Sequence, residues 1–221
     1  MKIVLSLEKR ILNYLILNSN LSSDTSLMYG KTGIAIAFYK YGIKHEQQFY
    51  PIIHDLLNNI KESLYIDEIF SFEKGLIGIG WGIDYLIIKD SKFKEYASIS
   101  NIVLDLVTQY NTEILLYNLS DTNLYFLLNY IWIHSNIDFT FNKKPINKQF
   151  LKKLLLIINN KKNRTFTDIS KLIKDTNINH LKNDFTIIEQ YINNRINFQD
   201  KDILSYPLGI KNGLSNYLLF N

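Results

Sequence analysis

The sequence predicts an all-α protein assembled from repeated helical hairpins, and three observations carry that expectation. Apolar residues recur at the 3.6-residue spacing of a helix in segment after segment. No alternating polar and apolar run is bounded by the Asn-Gly or Asp-Gly turn that marks a β-hairpin. The nine glycines among 221 residues fall in three places only: Gly30, Gly33 and Gly42; Gly75, Gly78, Gly80 and Gly82; Gly209 and Gly213. Apolar residues form 47% and aromatics 14% of a single-domain-sized chain, enough to fill a core.

Along the chain, Met1 to Leu17 reads as an amphipathic helix with Leu5, Ile11, Leu12, Leu15 and Ile16 on its apolar side. Glu8, Lys9 and Arg10 interrupt it and no A-x-A site follows, so it is not read as a signal peptide. A helix opened by Pro51 carries Ile52, Ile53, Leu56, Leu57 and Ile60 inward. One opened by Pro145 does the same with Leu151, Leu154, Leu155 and Ile158, and Pro207 precedes the last apolar stretch. The longest uncharged apolar window, Leu124 to Ile133, is too short for a membrane span, and the expected location is the cytoplasm.

The glycines show a repeat. When Tyr29–Ala37 is set over Lys74–Gly82, small residues coincide at Gly30/Gly75, Gly33/Gly78, Ala35/Gly80 and Ala37/Gly82. Gly and Ala together are 12 of the 221 residues, so four coincidences are not a product of composition. Positions 0, 3 and 7 of each copy share one narrow helical face, which would let a neighbouring helix or loop approach closely. Each glycine costs up to ~1 kcal/mol of helix propensity, which packing must offset. Gly30 and Gly75 are 45 residues apart, and Gly213 lies three further steps of 46 beyond Gly75. Intermediate copies are then expected to begin near residues 121 and 167, where Asp121, Thr122, Thr167 and Asp168 offer helix caps. The expected architecture is five hairpins of about 45 residues in one domain spanning 1–221, each with an inner helix opened by the motif and an outer helix returning.

These residues carry a resemblance. Gly75-Leu76-Ile77-Gly78-Ile79-Gly80-Trp81-Gly82-Ile83-Asp84-Tyr85-Leu86 resembles the Gly-rich repeat of the lanthionine synthetase C-like family. Leu27-Met28-Tyr29-Gly30-Lys31-Thr32-Gly33-Ile34-Ala35 is similar to an earlier copy. Gly209-Ile210-Lys211-Asn212-Gly213-Leu214-Ser215-Asn216 is similar to a late copy without trailing glycines. The likeness is specific over roughly residues 25–90 and thinner over 207–221. It implies an α/α toroid whose Gly motifs face one end of a central cavity, with zinc and thioether ring closure on a ribosomally made peptide. The family's zinc is held by two cysteines and a histidine. This chain has no cysteine, so those ligands have no counterpart, and 221 residues hold fewer than the family's usual seven repeats. The resemblance therefore implies an incomplete ring without cyclase chemistry.

Other chemistries find little footing. No cysteine also means no disulfide, thiolate cluster or cysteine nucleophile. His45, His54, His134 and His180 form no H-x-x-x-H pair and none lies in a Gly motif, so no metal or other cofactor is expected. There is no G-x-x-x-x-G-K-[ST] loop and no G-x-S-x-G elbow. Asp67, Glu68, Glu73 and Asp84 cluster around the second motif, and some toroids hydrolyse glycosides with two carboxylates. A rise of ~1.5 Å per residue would put Glu73 and Asp84 roughly 16 Å apart, beyond the roughly 5–9.5 Å such a pair needs, so Asp121 or another partner would be required.

Charge is segregated: residues 142–174 hold ten basic side chains and only Asp168 as an acid, a net +9, while the remaining 15 basic and 20 acidic residues sum to −5. Lys143, Lys144, Lys148, Lys152 and Lys153 are the expected partner-binding residues, opposed by the plain alternative of a solvated helix face. Only Phe150 and Phe166 interleave the basic residues, so nucleic acid is not the expected partner. Tyr29, Glu73, Trp81, Asp84 and Tyr85 are the expected peptide-binding residues, opposed for the aromatics by simple core packing. The expectation is a zinc-less, non-catalytic relative of the lanthionine cyclases, a pseudoenzyme that binds a precursor peptide or its modifying enzyme. A carboxylate-based carbohydrate enzyme, and a structural subunit completed by a second copy or another chain, are the alternatives.

Overall fold

The computed structural model describes residues 6–45, 49–64, 69–109, 119–136, 146–160 and 203–220, and these are helical with no strand among them. The helices are α1 (Leu7–Asn18), α2 (Lys31–Lys44), α3 (Tyr50–Ser63), α4 (Leu76–Lys89), α5 (Ala97–Gln109), α6 (Asp121–Asn136), α7 (Lys148–Asn160) and α8 (Leu214–Phe220), with 3-10 turns at Ser19–Leu21, Ser91–Tyr96 and Ile203–Ser205. No described helix is long and apolar enough to cross a membrane.

Burial alternates along the chain. α2 is buried on every side from Lys31 to Tyr39, α4 from Leu76 to Ile87, and α6 nearly so from Phe126 to Ile131. Helices apolar all round belong inside a core. Their first residues, 31, 76 and 121, are each 45 apart. By contrast, α3 buries Ile53, Leu56, Leu57 and Ile60 on one side only, and Pro51 sits in its first turn, where a missing N–H costs nothing. α5 likewise buries Ile99, Val103, Leu104 and Val107.

Two compact units interleave in sequence: the first takes residues 1–67, 73–75 and 187–221, the second 68–72 and 76–186. In the first, α2 packs on α3 and α8, and α8 packs on α1. Ser6 caps α1 by accepting the Lys9 N–H, and Ile11 and Leu15 are sealed beneath the helix. Tyr41 of α2 donates its hydroxyl to Glu8 of α1 at 2.7 Å. In the second unit, α4 packs on α5 and α6. There Phe72 stacks on Phe126 at 3.8 Å between centroids and meets the edge of Trp81 at 5.9 Å.

Two expectations are corrected. Gly30 and Gly75 do not lie on the helices; each is the residue before one, because the loop hooks back on itself there. A Cβ on Gly30 would overlap the carbonyl and side chain of Asp24. The helical part of the stripe does admit close neighbours: a Cβ on Gly33 would overlap the Leu27 carbonyl and Ile210, and one on Gly80 would overlap the ring of Tyr130. On α7 the buried face is Phe150, Leu154, Ile157 and Ile158, with Leu151 and Leu155 only half-buried, a turn of the face that brings Phe150 into the core. Pro145 and the copy expected near 167 lie outside the described residues.

Candidate functional site

Each Gly motif folds into the same seven-residue hook. The first N–H of the following helix reaches back to a carbonyl seven residues earlier: Lys31 to Asp24 at 2.8 Å, Leu76 to Ile69 at 3.0 Å, Leu214 to Pro207 at 2.8 Å. Second rungs repeat the spacing from Thr32 to Thr25, Gly78 to Ser71 and Ser215 to Leu208. Hydroxyls of Thr32 and Ser215 add a bond to those same carbonyls, at 2.6 and 2.5 Å. Helix N-termini leave backbone N–H groups without helical acceptors, and the hook supplies them from within the motif. Leu27, Phe72 and Ile210 occupy one equivalent position and are all buried. In the third hook Asn212 takes φ 56°, a left-handed conformation that asparagine tolerates.

In the first unit the hooks meet through equivalent residues. The Lys211 N–H donates to the Met28 carbonyl at 2.8 Å, and the Met28 N–H donates to the Glu73 carbonyl at 3.0 Å. Gly209 lets the third hook in, since a Cβ there would overlap the Tyr29 backbone. Side chains gather above these bonds. The Lys211 ammonium donates to both oxygens of Glu73, at 2.9 and 2.7 Å, and the Tyr29 hydroxyl donates to Glu73 at 3.4 Å. Lys74 and Lys211 stand 5.1 and 5.8 Å from the centre of the Tyr29 ring. The hydrogen bond to Glu73 is the main cause that raises Lys211 above the ordinary lysine range. The ion pair is part-exposed, with 40% of the Lys211 side chain and 27% of the Glu73 side chain open. The group therefore brings two ammonium groups, one carboxylate and an aromatic ring together at a part-exposed place.

Trp81, Asp84 and Tyr85 are placed elsewhere, inside the second unit. Trp81 stacks on Tyr85 at 5.2 Å, and their exposures are 1% and 2%. Asp84 is sealed: its Oδ1 accepts the Ser100 hydroxyl at 2.5 Å and its Oδ2 lies 2.9 Å from His134 Nδ1. Ser100 Oγ also stands 3.0 Å from the same nitrogen. A nucleophilic triad puts serine and aspartate on opposite ring nitrogens. Here both address Nδ1 and the serine is buried, so the cluster braces α4, α5 and α6 together. His134 Nε2 is buried with no hydrogen-bond partner among the described residues. Tyr130 packs beside it, and its hydroxyl is pushed well above the usual tyrosine range, by burial first and then by the Asp84 charge.

Of the expected partner-binding lysines, Lys148 and Lys152 are exposed on α7 and Lys153 is half-buried. Lys143 and Lys144 lie outside the described residues, as do Asp67 and Glu68. Asp121 is exposed at the start of α6. Among the described residues no three His, Asp or Glu side chains gather as metal ligands.

Sequence reasoning missed Lys211, Ser100 and His134. Lys211 was within reach, because aligning Gly213 with Gly75 places it opposite Glu73. Ser100 and His134 carry no local signal. Compared with protein-family models, curated proteins and solved structures, the chain matches none of them.

Proposed function

We propose that this chain is a non-catalytic peptide-binding component of ribosomal peptide maturation, a zinc-less relative of the lanthionine cyclases built as an α/α toroid-like array of helical hairpins. The observation that carries the reading is the convergence of the three motif hooks on one part-exposed group, Tyr29, Glu73 and Lys211. Helix starts 45 residues apart and the alternation of fully buried with one-sided helices support the array. Within the first unit, the last described helix, α8, packs on both α1 and α2.

The hook group fits peptide binding in its chemistry. A carboxylate of the peptide competes with Glu73 for Lys211 and reaches Lys74 beside it, while the half-buried Tyr29 ring holds the two ammonium groups near its centre. Asp84 serves the interior of the second unit, and the cysteines of the family's zinc site are absent from the sequence. The test incubates the protein and zinc with a peptide containing dehydroalanine and cysteine, reading bound metal and thioether by mass spectrometry. Peptide association without accelerated thioether formation is the expected result. Stoichiometric zinc together with catalysed ring closure would overturn the reading.

A further inference from the structure

The α7 helix presents a surface that the hooks do not use. From Lys148 to Asn160 it carries three lysines and no acid. Phe150, Leu154, Ile157 and Ile158 face the interior, while Lys148, Lys152 and Leu156 stand out, Leu156 being 64% exposed. Those three are four residues apart, so they form one stripe on the side opposite the buried face. The half-buried Leu151 and Leu155 border the stripe along one side and extend its apolar end at Leu156. Neither Lys148 nor Lys152 makes an ion pair among the described residues. The helix also lies in the segment of net +9, in a chain whose remainder sums to −5.

We propose that this face of α7 docks an acidic amphipathic helix of the peptide partner. Carboxylates four residues apart on the incoming helix meet Lys148 and Lys152, and an aliphatic side chain one turn further along covers Leu156 and the edge of Leu155. Such helix-on-groove recognition reads anchors at helical spacing, and charge sets orientation and encounter rate. A phosphate backbone would pair with the lysines but leave Leu156 in water, and Phe150 is buried and offers no stacking platform. The assignment rests on the peptide-binding reading above and names the chemistry of the partner.

The test uses the full chain and three fluorescent probes: a synthetic helical peptide with two Glu four residues apart and Leu one turn beyond them, the same composition scrambled, and a single-stranded RNA oligonucleotide. Anisotropy is expected to show the ordered peptide binding about tenfold more tightly than the scrambled one. Leu156→Ser is expected to weaken it by about tenfold, as is the pair Lys148→Glu and Lys152→Glu, with unchanged helicity. A peptide with Lys in place of Glu restores binding to the charge-reversed protein. Equal binding of the scrambled peptide, insensitivity to Leu156→Ser, or tighter binding of the RNA overturns the proposal. If binding falls with Tyr29→Ala and Lys211→Ala but not with the α7 substitutions, the α7 face is overturned while the peptide-binding reading stands. If the ordered peptide docks on α7 while the protein catalyses thioether closure, the non-catalytic reading fails instead.

Discussion

The ammonium of Lys211 donates to both carboxylate oxygens of Glu73, at 2.9 and 2.7 Å, across 138 residues of sequence. The pair joins the last Gly motif to the second, beside the first. Because it is part-exposed, its contribution to stability is small, about 0.5–1 kcal/mol. A double-mutant cycle of Glu73→Ala and Lys211→Ala, read by urea unfolding, should give a coupling of about 0.5 kcal/mol that shrinks with added salt. Lys211 is raised in the folded protein, so the contribution is present below the ordinary lysine value of 10.5 and is lost as pH climbs through the higher folded value. Zero coupling at low salt and neutral pH would contradict the geometry.

Gly80 tests whether the small-residue stripe is there for packing. Alanine in a helix interior gains about 1 kcal/mol over glycine, yet a Cβ at Gly80 would overlap the Tyr130 ring. Overpacking of a sealed core costs about 1–3 kcal/mol, so the clash wins. Gly80→Ala should lower the urea midpoint, and in a Tyr130→Leu background the same change should be tolerated. Equal costs in both backgrounds would show that the ring is not what the glycine accommodates.

The Asp84, Ser100 and His134 cluster predicts a larger effect. Asp84→Leu removes an acceptor for two buried groups at once. Losing one member of a buried polar network costs about 3–5 kcal/mol, whereas replacing the whole network by apolar groups is often near neutral. The triple change Asp84→Leu, Ser100→Ala and His134→Leu should therefore recover much of what Asp84→Leu loses. Thermal unfolding of the single and triple variants decides it, and a triple variant weaker than the single one would contradict the account.

The hook register makes a prediction about Lys31. Its equivalents in the other two hooks are Leu76 and Leu214, both fully buried, and Lys31 itself is 5% exposed. Burial lowers its ammonium below the ordinary value, with Glu62 opposing. Between the lowered folded value and 10.5 the unfolded chain binds more protons at this lysine, so the cost of burying Lys31 shrinks as pH rises through that window. Lys31→Leu should be stabilising by about 1 kcal/mol at pH 7, with the advantage narrowing toward pH 10.5. Denaturation at both pH values measures the difference, and destabilisation at pH 7 would contradict the equivalence.

Alkaline pH acts through two tyrosines. Burial and the hydrogen bond to Glu8 push Tyr41 up to about 12, and burial holds Tyr130 well above the usual tyrosine range in its sealed site. Both keep the proton in the folded protein above pH 10, where the unfolded chain releases it. The tyrosine contribution to stability should fall as pH rises through 10, so Tyr130→Phe should make the alkaline slope less negative than the parent's while costing little at pH 7, since its contact with the Ser100 carbonyl is 3.5 Å long. An unchanged alkaline slope in the variant would contradict the assignment.

Helices were readable because their signals are local. Ile53, Leu56, Leu57 and Ile60 announce α3 by spacing alone, and Pro51 marks its start. The 46-residue step from Gly75 toward Gly213 also placed a helix start near Asp121, where no glycine marks it. What the sequence hid depends on long-range geometry. Gly30 and Gly75 read as helical because the hook bonds that hold them outside the helix join residues seven apart, a spacing with no pattern of its own. Trp81, Asp84 and Tyr85 share a helix with the motif, but whether they face a ligand or a core depends on α5 and α6, far along the chain. The motif pointed to Tyr29 and Glu73, which the fold brings within hydrogen-bond distance, and Lys211 needed the alignment to be carried to side chains as well as glycines.

In the proposed function, a peptide binds at the group where the hooks meet. The most direct measurement is affinity capture of the tagged protein from its own cells, compared with a Tyr29→Ala and Lys211→Ala variant, with mass spectrometry of what each retains. The account predicts a small ribosomally made precursor peptide, alone or with its modifying enzyme, retained by the parent protein and lost from the variant. A parent protein that retains no peptide or peptide-modifying enzyme, or one whose peptide is held equally by the variant, would contradict it.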